Sequence, residues 1–508
     1  MGRFYSCALA VLASAVFVGG CASGPPHRGA DEVSSLVTAR GLSTLKWPAE
    51  PESHSTPAPL SGPVSRMDAL SYAYANNAQV RELYARLGIA SADVVEASRL
   101  ANPRLGYVDL SPSGGGLSQI TRSISIEFTN ALLLPSRARL AQGEFRQRQE
   151  SVADALLDLG ARVETAWYDA VAAKQVAELR EIAATAGDAS SEMAQRLYSA
   201  GNLSPKALAL EQAASAEQRV SAARAKADAI LARATLAEAM GISTRLGWEV
   251  PSRLPAVVES ASLDEVALLK QAETLRLDLS SARLDLATRE DLAGVTRRWR
   301  WLGDVEAGYA HESDTDGSRL RGPSLAIQLP LFNQGQGAVA RAGAQVEQAR
   351  ARLDETELRV KNDVARGLDR LASAREVADA YRTAVLPQHE LLVSSTQEEH
   401  NFMLVGVFEL LQARRTQLDA YQAYLDAVRD YWIARTDLRR AVGGSLPDET
   451  HQDSTLPMTQ GFDELLAPTQ PATSVQSERR GDQSPDTHNP AAGHESDPAD
   501  HTHHGETP

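Results

Sequence analysis

The sequence predicts a mainly α-helical chain with a small β part, built as two similar halves. Aromatic side chains make up only 5% of the 508 residues and alanine is abundant, a composition that suits close-packed helices. Long apolar stripes with heptad spacing indicate helices that pack as coiled coils. Two pairs of short segments with alternating polarity interrupt these stripes, and this alternation is typical of β-strands.

The amino terminus has the features of a secretory signal. Arg3 is followed by an apolar run over residues 8–18 and then by Gly19-Gly20-Cys21. Such a run is too short to span a bilayer. We predict that residues 1–20 are a signal peptide and that Cys21 is lipidated; the alternative is an ordinary signal peptide with an incidental cysteine. The residue after Cys21 is Ala22 and not Asp. In the bacterial lipoproteins that this signal resembles, a residue other than Asp at this position implies transport to the outer membrane.

Two segments of low complexity flank the predicted body. Residues 21–64 are rich in Pro, Gly and Ser, which predicts an extended, lipidated leader. Residues 445–508 contain 12 acidic and 2 basic side chains and are predicted to be disordered. This tail carries most of the net charge of -15. The residues before 445 carry nearly equal numbers of acidic and basic side chains, which argues against nucleic-acid binding through a basic surface charge. No run of 18 apolar residues follows Cys21, so any membrane crossing requires β-strands.

The body contains an internal repeat, with a first copy at 65–250 and a second at 251–444. Three landmarks recur at similar offsets: 163–167 with 364–368 at 201, 200–203 with 405–408 at 205, and 236–241 with 438–443 at 202. A nearly constant offset indicates duplication.

Each copy predicts the same order of elements. A capping box opens the first helix of each, at Ser65–Asp68 and at 262–265. Alternating segments follow at 104–112 and 120–130, and again at 303–312 and 321–330, joined by polar loops typical of hairpins. A long helix then runs from about 137 to 199 in the first copy. From the strands alone, soluble hairpins packed on a helical core remain the alternative.

This order of elements resembles the outer-membrane efflux protein (TolC-like) family, in its lipoprotein type. The residues that carry the resemblance are the motifs at 76–79, 102–103 and 276–279, the helix ends at Gly241 and Gly443, and above all the inter-helix turns at 196–204 and 401–409. The resemblance implies a long coiled-coil α-barrel joined to a 12-stranded β-barrel, formed by a homotrimer with four strands per chain. Closing the sheet in this way removes the open edges that lipid forbids. Ser123, Ser125, Ser324 and Ala326 would then line the lumen, and the residues facing lipid would be Ile124, Ile126, Leu325, Ile327 and Leu329.

The resemblance also implies partners and sites. The family's function is a passive exit duct for an inner-membrane pump of the RND type, joined to it by a periplasmic adaptor (membrane fusion) protein. The outer membrane supplies the surrounding lipid. The two turns would be the adaptor contacts, where glycine permits a tight reversal. We expect these contacts at Gly201, Asn202, Leu203, Gly406, Val407 and Phe408.

Histidines in the tail suggest the cargo. His494, His501, His503 and His504 lie among acidic residues, and imidazole with carboxylate suits divalent transition metals. This composition resembles the heavy-metal efflux branch of the family; the alternative is a solvated tail with chance histidines. Flexible ligands predict weak binding that buffers metal.

The sequence therefore predicts an outer-membrane exit duct for divalent heavy-metal cations, with the helices in the periplasm. A drug or solvent duct of the same fold, or a periplasmic coiled-coil scaffold, are the alternatives. We expect no enzyme and no cofactor, because motifs such as a phosphate loop, a nucleophile elbow and H-E-x-x-H do not occur.

Overall fold

The structure is a computed structural model. It describes residues 26–41, 62–111, 113–245, 247–258, 263–447 and 459. All of them lie in the first of two compact units, Met1–Leu465.

The first copy of the repeat is built from four helices and a β-hairpin. Ser65 caps the first helix through the predicted capping box, because its side chain accepts from the Asp68 N–H and the Asp68 carboxylate accepts from Ser65. The elements are α2 (Arg66–Asn76), α3 (Ala78–Ala97), β2 (Arg104–Leu110), β3 (Gln119–Glu127), α4 (Phe128–Ser199) and α5 (Pro205–Met240). At about 1.5 Å per residue the 72-residue α4 is about 108 Å long.

The second copy has the same order. Its elements are α6 (Glu265–Leu275), α7 (Leu277–Trp299), β5 (Val305–Ser313), β6 (Arg319–Ile327), α8 (Gln336–Ala380), a π-helical turn (Tyr381–Val385), α9 (Leu386–Asn401) and α10 (Val407–Val442). The capping box predicted at 262–265 is wrong, because Asp264 caps α6 instead and its carboxylate accepts from the N–H groups of Val266 and Ala267.

The two hairpins join into one antiparallel sheet. Its strand order is β2-β3-β5-β6, so the first hairpin pairs with the second through β3 and β5. A separate two-stranded parallel sheet joins β1 (Gly62–Pro63) to β4 (Trp248–Glu249). The described helices each fall short of the length or apolar character that a membrane-spanning helix needs.

A helical core rich in alanine and aromatic residues holds the two copies together. Tyr168 of α4 stacks on Trp432 of α10 with ring centroids 5.4 Å apart. The indole N–H of Trp167 donates to the Val64 carbonyl at 2.9 Å, and that of Trp432 donates to the Pro255 carbonyl at 2.8 Å. Each tryptophan thereby fixes a connecting segment on the helices, since a buried indole N–H needs an acceptor.

The leader differs from its predicted extended form. Residues Ala30–Thr38 form a helix, α1, preceded by a 3-10 turn at Pro26–Gly29. Val33 and Val37 lie one turn apart on α1 and are fully buried in the main core. The tail also departs from the prediction of disorder at Thr459, which is buried and whose N–H donates to the Leu254 carbonyl at 2.9 Å.

Candidate functional site

The four-stranded sheet has two chemically different faces. Strand pairs at the same register share a face, and one face carries Gly106, Ser123, Ala310 and Gly322 in a single row. The next row of this face contains Ser125, Gly308 and Ser324, with the larger Arg104 at its outer strand. Small residues of this kind leave space in front of the sheet, as expected for the predicted lumen face.

Glutamates stand at the ends of the small-residue face. Glu127 and Glu306 lie directly opposite each other on β3 and β5. Arg104 forms an ion pair with Glu127, and the Ser125 hydroxyl donates to Glu306. Near the hairpin tips, the Gln119 amide donates to Glu312. The face is therefore polar and net acidic at this pair of strands.

The other face of the sheet is apolar over three successive rows. The three rows are Val305 with Ile327, then Ile126 and Leu325 joined through Ala307, then Leu105, Ile124 and Tyr309. Ile124, Ile126, Leu325, Ile327 and Leu329 are all exposed, as the sequence predicted for a face toward lipid. Exposed apolar residues on this scale indicate an apolar environment or partner.

The first inter-helix turn follows a Schellman motif. The Asn202 N–H donates to the Leu197 carbonyl at 2.8 Å and the Gly201 N–H donates to the Tyr198 carbonyl at 2.9 Å. Gly201 has φ of 77°, which confirms the predicted left-handed residue. Ser204 then caps α5 by accepting from the Ala207 N–H, with Pro205 at the first helical position.

The second turn has the same motif but with a different residue at its centre. The Leu404 N–H donates to the Glu399 carbonyl and the Met403 N–H to the His400 carbonyl, both at 2.9 Å. Met403, with φ of 60°, takes the left-handed position. Gly406 has φ of -78° and precedes α10 as its N-cap. The prediction that Gly406 makes the reversal is therefore wrong.

This correction also changes the alignment of the repeat. Gly201 corresponds to Met403 at an offset of 202, and Ser204 corresponds to Gly406 at the same offset. The offset of 205 predicted for this landmark was three residues too long. The corrected value agrees with the offset between Gly241 and Gly443.

The second turn exposes apolar side chains that the sequence interpretation missed. Phe402, Met403 and Leu404 are 77%, 92% and 74% exposed. Val407 and Phe408, which were predicted as contacts, are half-buried at the start of α10. In the first turn Gly201 and Asn202 are exposed and Leu203 is half-buried. The exposed apolar surface therefore lies three to six residues earlier than predicted in the second turn.

A buried ionic cluster joins the helices of the two copies. Glu164 of α4 is 2% exposed and accepts from Arg66 of α2 at 2.8 Å. Arg439 of α10 forms an ion pair with the same carboxylate. Two cations from different elements thus compensate one buried charge, which would be costly if left alone.

A second ionic cluster centres on Arg276, between α6 and α7. Its guanidinium contacts Asp278 at 2.7 Å, Asp363 at 3.0 Å and the Ala441 carbonyl at 3.2 Å. Burial alone would raise the pKa of Asp278, but the hydrogen bonds and charge of Arg276 outweigh it and lower that pKa. The cluster therefore favours the ionised pair and, within the second copy, ties the break between α6 and α7 to α8 and to the end of α10.

The glycines at the ends of α5 and α10, Gly241 and Gly443, each pack closely on the break between the two short helices of one copy. Gly241 and Gly443 have φ of 73° and 79°. A Cβ on Gly241 would lie 2.7 Å from the Cα of Asn77, and one on Gly443 would lie 3.0 Å from the N and Cγ of Arg276. Asn77 and Arg276 are the breaks between the two short helices of each copy. These close approaches explain the glycines and the motifs singled out in the sequence.

The remaining predicted residues fall outside the described part of the chain. These are the lipidation residue Cys21 and the tail histidines His494, His501, His503 and His504. Within the described residues, no group of three or more His, Cys, Asp or Glu side chains is placed to hold a metal ion.

Solved structures of membrane proteins, several of them described as outer-membrane channels, share this fold. The outer membrane protein VceC of Vibrio cholerae matches with a TM-score of 0.61 at 15% identity, over 75% of this chain and 96% of that one. The CmeC outer membrane channel of Campylobacter jejuni matches with a TM-score of 0.64 at 14% identity, over 77% and 90%. CusC, described in connection with transmembrane channel formation, matches with a TM-score of 0.61 at 15% identity, over 75% and 92%. The prediction of a mainly helical fold with a small sheet, of the kind found in these channels, is thereby confirmed.

The sequence comparisons agree with this class. Residues 268–444, most of the second copy, match the family described as Outer membrane efflux protein. The cobalt-zinc-cadmium resistance protein CzcC of Cupriavidus metallidurans is 23% identical over 389 residues, which cover 76% of this chain and 92% of that protein. The resemblance to the outer-membrane efflux proteins is therefore confirmed, and none of these relatives is described as an enzyme.

Proposed function

We propose that this protein is the outer-membrane channel of a tripartite efflux system and a passive exit duct for divalent heavy-metal cations. One observation carries the proposal: the chain aligns with 92% of a cobalt-zinc-cadmium resistance protein. The joined hairpins and the long helices supply a structure suited to a duct. Cys21 would carry the lipid anchor in the outer membrane, and the helices would extend into the periplasm.

Three copies would complete the sheet. Its outer strands, β2 and β6, each have one edge unpaired within the described residues of a single chain. Each unpaired backbone N–H or C=O group in lipid costs on the order of several kcal/mol. Pairing β2 of one copy with β6 of the next would give twelve strands and leave no edge. The small-residue face would then surround the duct.

Helix surfaces support the same assembly. Leu210, Val220, Ile230 and Leu231 of α5 are exposed, as are Leu391 and Leu392 of α9. Exposed apolar residues along helices that otherwise pack as coiled coils indicate further helix contacts. A homotrimer would bring α5 of one copy against α9 of a neighbour.

The two inter-helix turns are the proposed docking ends for a periplasmic adaptor. Phe402, Met403 and Leu404 would form an exposed apolar contact surface for the adaptor. Met403 has a left-handed backbone conformation at this turn. The first turn contributes Gly201, Asn202 and Leu203 beside it. The inner-membrane pump, of the RND type, would reach the channel through this adaptor.

The tail would act as a metal buffer beside the duct. The four histidines lie among carboxylates, and such ligands take divalent rather than soft monovalent cations. Because Leu446 and Thr459 are buried against the body, a truncation that tests the tail should end after residue 465 and leave both in place.

The test is growth of a deletion strain on zinc, cobalt and cadmium salts, beside a panel of dyes and antibiotics. We expect sensitivity to the metals, and restoration by the full chain. A chain ending at residue 465, and a full-length chain with the four tail histidines changed to Asn, separate the duct from the buffer. Sensitivity to the drugs alone would overturn the proposed cargo but keep the channel. Full resistance to both panels in the deletion strain would overturn the duct and favour a scaffold.

A further inference from the structure

A basic row crosses the apolar face of the sheet one row before the ends of the strands at the hairpin tips. Across the four strands this row reads Tyr107, Arg122, His311 and Arg321, each directly paired with the next. Arg122, Arg321 and Tyr107 are exposed. Paired residues share a face, so the two guanidinium groups stand on the same side as Ile124, Ile126 and Leu325.

The cations follow the apolar rows without a gap. Tyr309 lies in the last apolar row, and Arg122 and Arg321 lie in the row after it. The row beyond, closer to the hairpin tips, contains Asp109, Ile120, Ser313 and Arg319. On β6 this face changes from Ile327 and Leu325 to Arg321 and Arg319, and on β5 it changes from Ala307 through Tyr309 to His311. An aliphatic band followed by aromatic and cationic side chains has the order of environments from hydrocarbon to headgroup.

The opposite end of the face has its own aromatic border. Trp301, Phe128 and Phe332 are exposed there, and the Arg300 guanidinium lies 4.6 Å from the Trp301 ring centroid. From Trp301 to His311 is ten residues, or about 33 Å along an extended chain. A strand tilt of about 40° reduces this to about 25 Å, which matches the apolar band of an outer-membrane sheet.

The two arginines are available for a ligand. Neither Arg122 nor Arg321 forms an ion pair with a described residue. His311 of β5 lies between them in the row. Two strand spacings separate them, about 10 Å. This gap suits two phosphate groups of one headgroup layer better than one shared carboxylate, because each guanidinium can bind a phosphate in a bidentate manner.

We propose that the basic row, Arg122, His311 and Arg321, binds the phosphate groups of anionic lipid headgroups at the outer surface of the membrane. The proposal rests on the proposed function, since it requires the sheet to lie in a bilayer. Charge complementarity and position decide the occupant: cations at the end of an apolar band meet the lipid phosphates. The row would thereby fix the depth of the sheet in the membrane.

The experiment measures lipid retention by the full-length protein. Wild type and Arg122→Gln/Arg321→Gln are purified in neutral detergent and titrated with phosphatidylglycerol or with phosphatidylcholine, and the bound lipid is counted by native mass spectrometry. Arg224→Gln/Arg352→Gln is the matched control, since both of these arginines are exposed on helices and the loss of charge is equal. We expect wild type to prefer phosphatidylglycerol, and the sheet variant to bind it about 30-fold more weakly.

The outcomes separate this proposal from the proposed function. Equal phosphatidylglycerol binding by wild type and the sheet variant would overturn the basic row, as would an equal loss in the helix control. Competition by inorganic phosphate at millimolar concentration would also overturn it, because it would show a free-anion site. Recovery of wild type outside the outer-membrane fraction of cells would instead contradict the channel itself. Weaker binding at higher salt, in the wild type alone, would support the row.

Discussion

Three glycines with nearly the same backbone conformation allow backbone strain and packing to be separated. Gly201, Gly241 and Gly443 have φ of 77°, 73° and 79°. A Cβ on Gly201 would meet no atom within 4 Å. A Cβ on Gly241 would lie 2.7 Å from the Asn77 Cα, and one on Gly443 would lie 3.0 Å from the Arg276 backbone N. Alanine at Gly201 thus introduces strain alone, and alanine at the other two adds overpacking.

The expected magnitudes follow from these distances. Left-handed alanine costs about 1 kcal/mol, and overpacking against backbone atoms adds roughly 1–3 kcal/mol. We expect Gly201→Ala to lower the free energy of unfolding by about 1 kcal/mol, and Gly241→Ala and Gly443→Ala to lower it by about 2–4 kcal/mol each. Gly443→Ala should also displace Arg276, because the clash is with that residue's own backbone and Cγ.

Hydrogen exchange by mass spectrometry measures these costs locally. A loss of about 1 kcal/mol reduces amide protection about fivefold, and about 3 kcal/mol reduces it more than a hundredfold. The affected peptides should be those around residues 73–80 for Gly241→Ala and 272–280 for Gly443→Ala. Gly201→Ala should change only the peptides of its own turn. If Gly241→Ala and Gly443→Ala lose no more protection than Gly201→Ala, close packing at the two helix ends does not explain these glycines.

Other consequences can be tested in the same preparations. Glu164→Ala should destabilise the protein by about 3 kcal/mol, because it removes the buried carboxylate that two partly buried arginines share. Glu249→Ala, at an exposed ion pair, should cost under about 1 kcal/mol. Equal shifts of the two variants in urea denaturation would contradict the buried cluster. Met403→Gly should relieve about 1 kcal/mol of turn strain yet weaken pull-down of the adaptor, and Met403→Ala should weaken the pull-down without that relief. The lowered pKa of Asp278 means that its stabilisation is present above the ordinary value of 3.8 and is lost as the pH falls through the folded value. Asp278→Asn should therefore flatten the stability profile in acid.

Periodicity predicted the repeated architecture because each long helix carries its own apolar seam. Val152, Leu156, Leu159 and Val163 are all buried in the main core, in the spacing read from the sequence. The hairpins could be predicted equally well, since Ile124 and Ile126 alternate with serines and such alternation indicates a sheet with one apolar and one polar face. Such local signals need no knowledge of distant residues.

The second turn could not be assigned from residue type, because the sequence interpretation expected glycine at the left-handed position. Met403 occupies it instead, and Gly406 served as a misleading landmark three residues later. Phe402, Met403 and Leu404 stand together in the sequence, and an uninterrupted apolar run at a helix end was the available signal. A constant offset of 202 for both landmarks would have located the turn correctly.

Long-range ionic contacts and the leader helix also lay beyond the sequence interpretation. Glu164 pairs with Arg66 and Arg439, which are far from it in the chain, and no periodicity links them. In the leader, Pro and Gly suggested an extended segment, but the burial of Val33 and Val37 on the body stabilises α1. Tertiary burial here outweighs local composition.

The central claim is that the protein conducts divalent heavy metals out of the cell. The most direct measurement is the metal retained by cells that have been loaded with zinc, cobalt or cadmium and then transferred to metal-free medium. Mass spectrometry of the metals would follow wild type, a deletion strain and the deletion strain carrying the full chain. The account predicts that the deletion strain retains more metal and that the full chain restores the loss. Equal retention in the wild type and the deletion strain would contradict it.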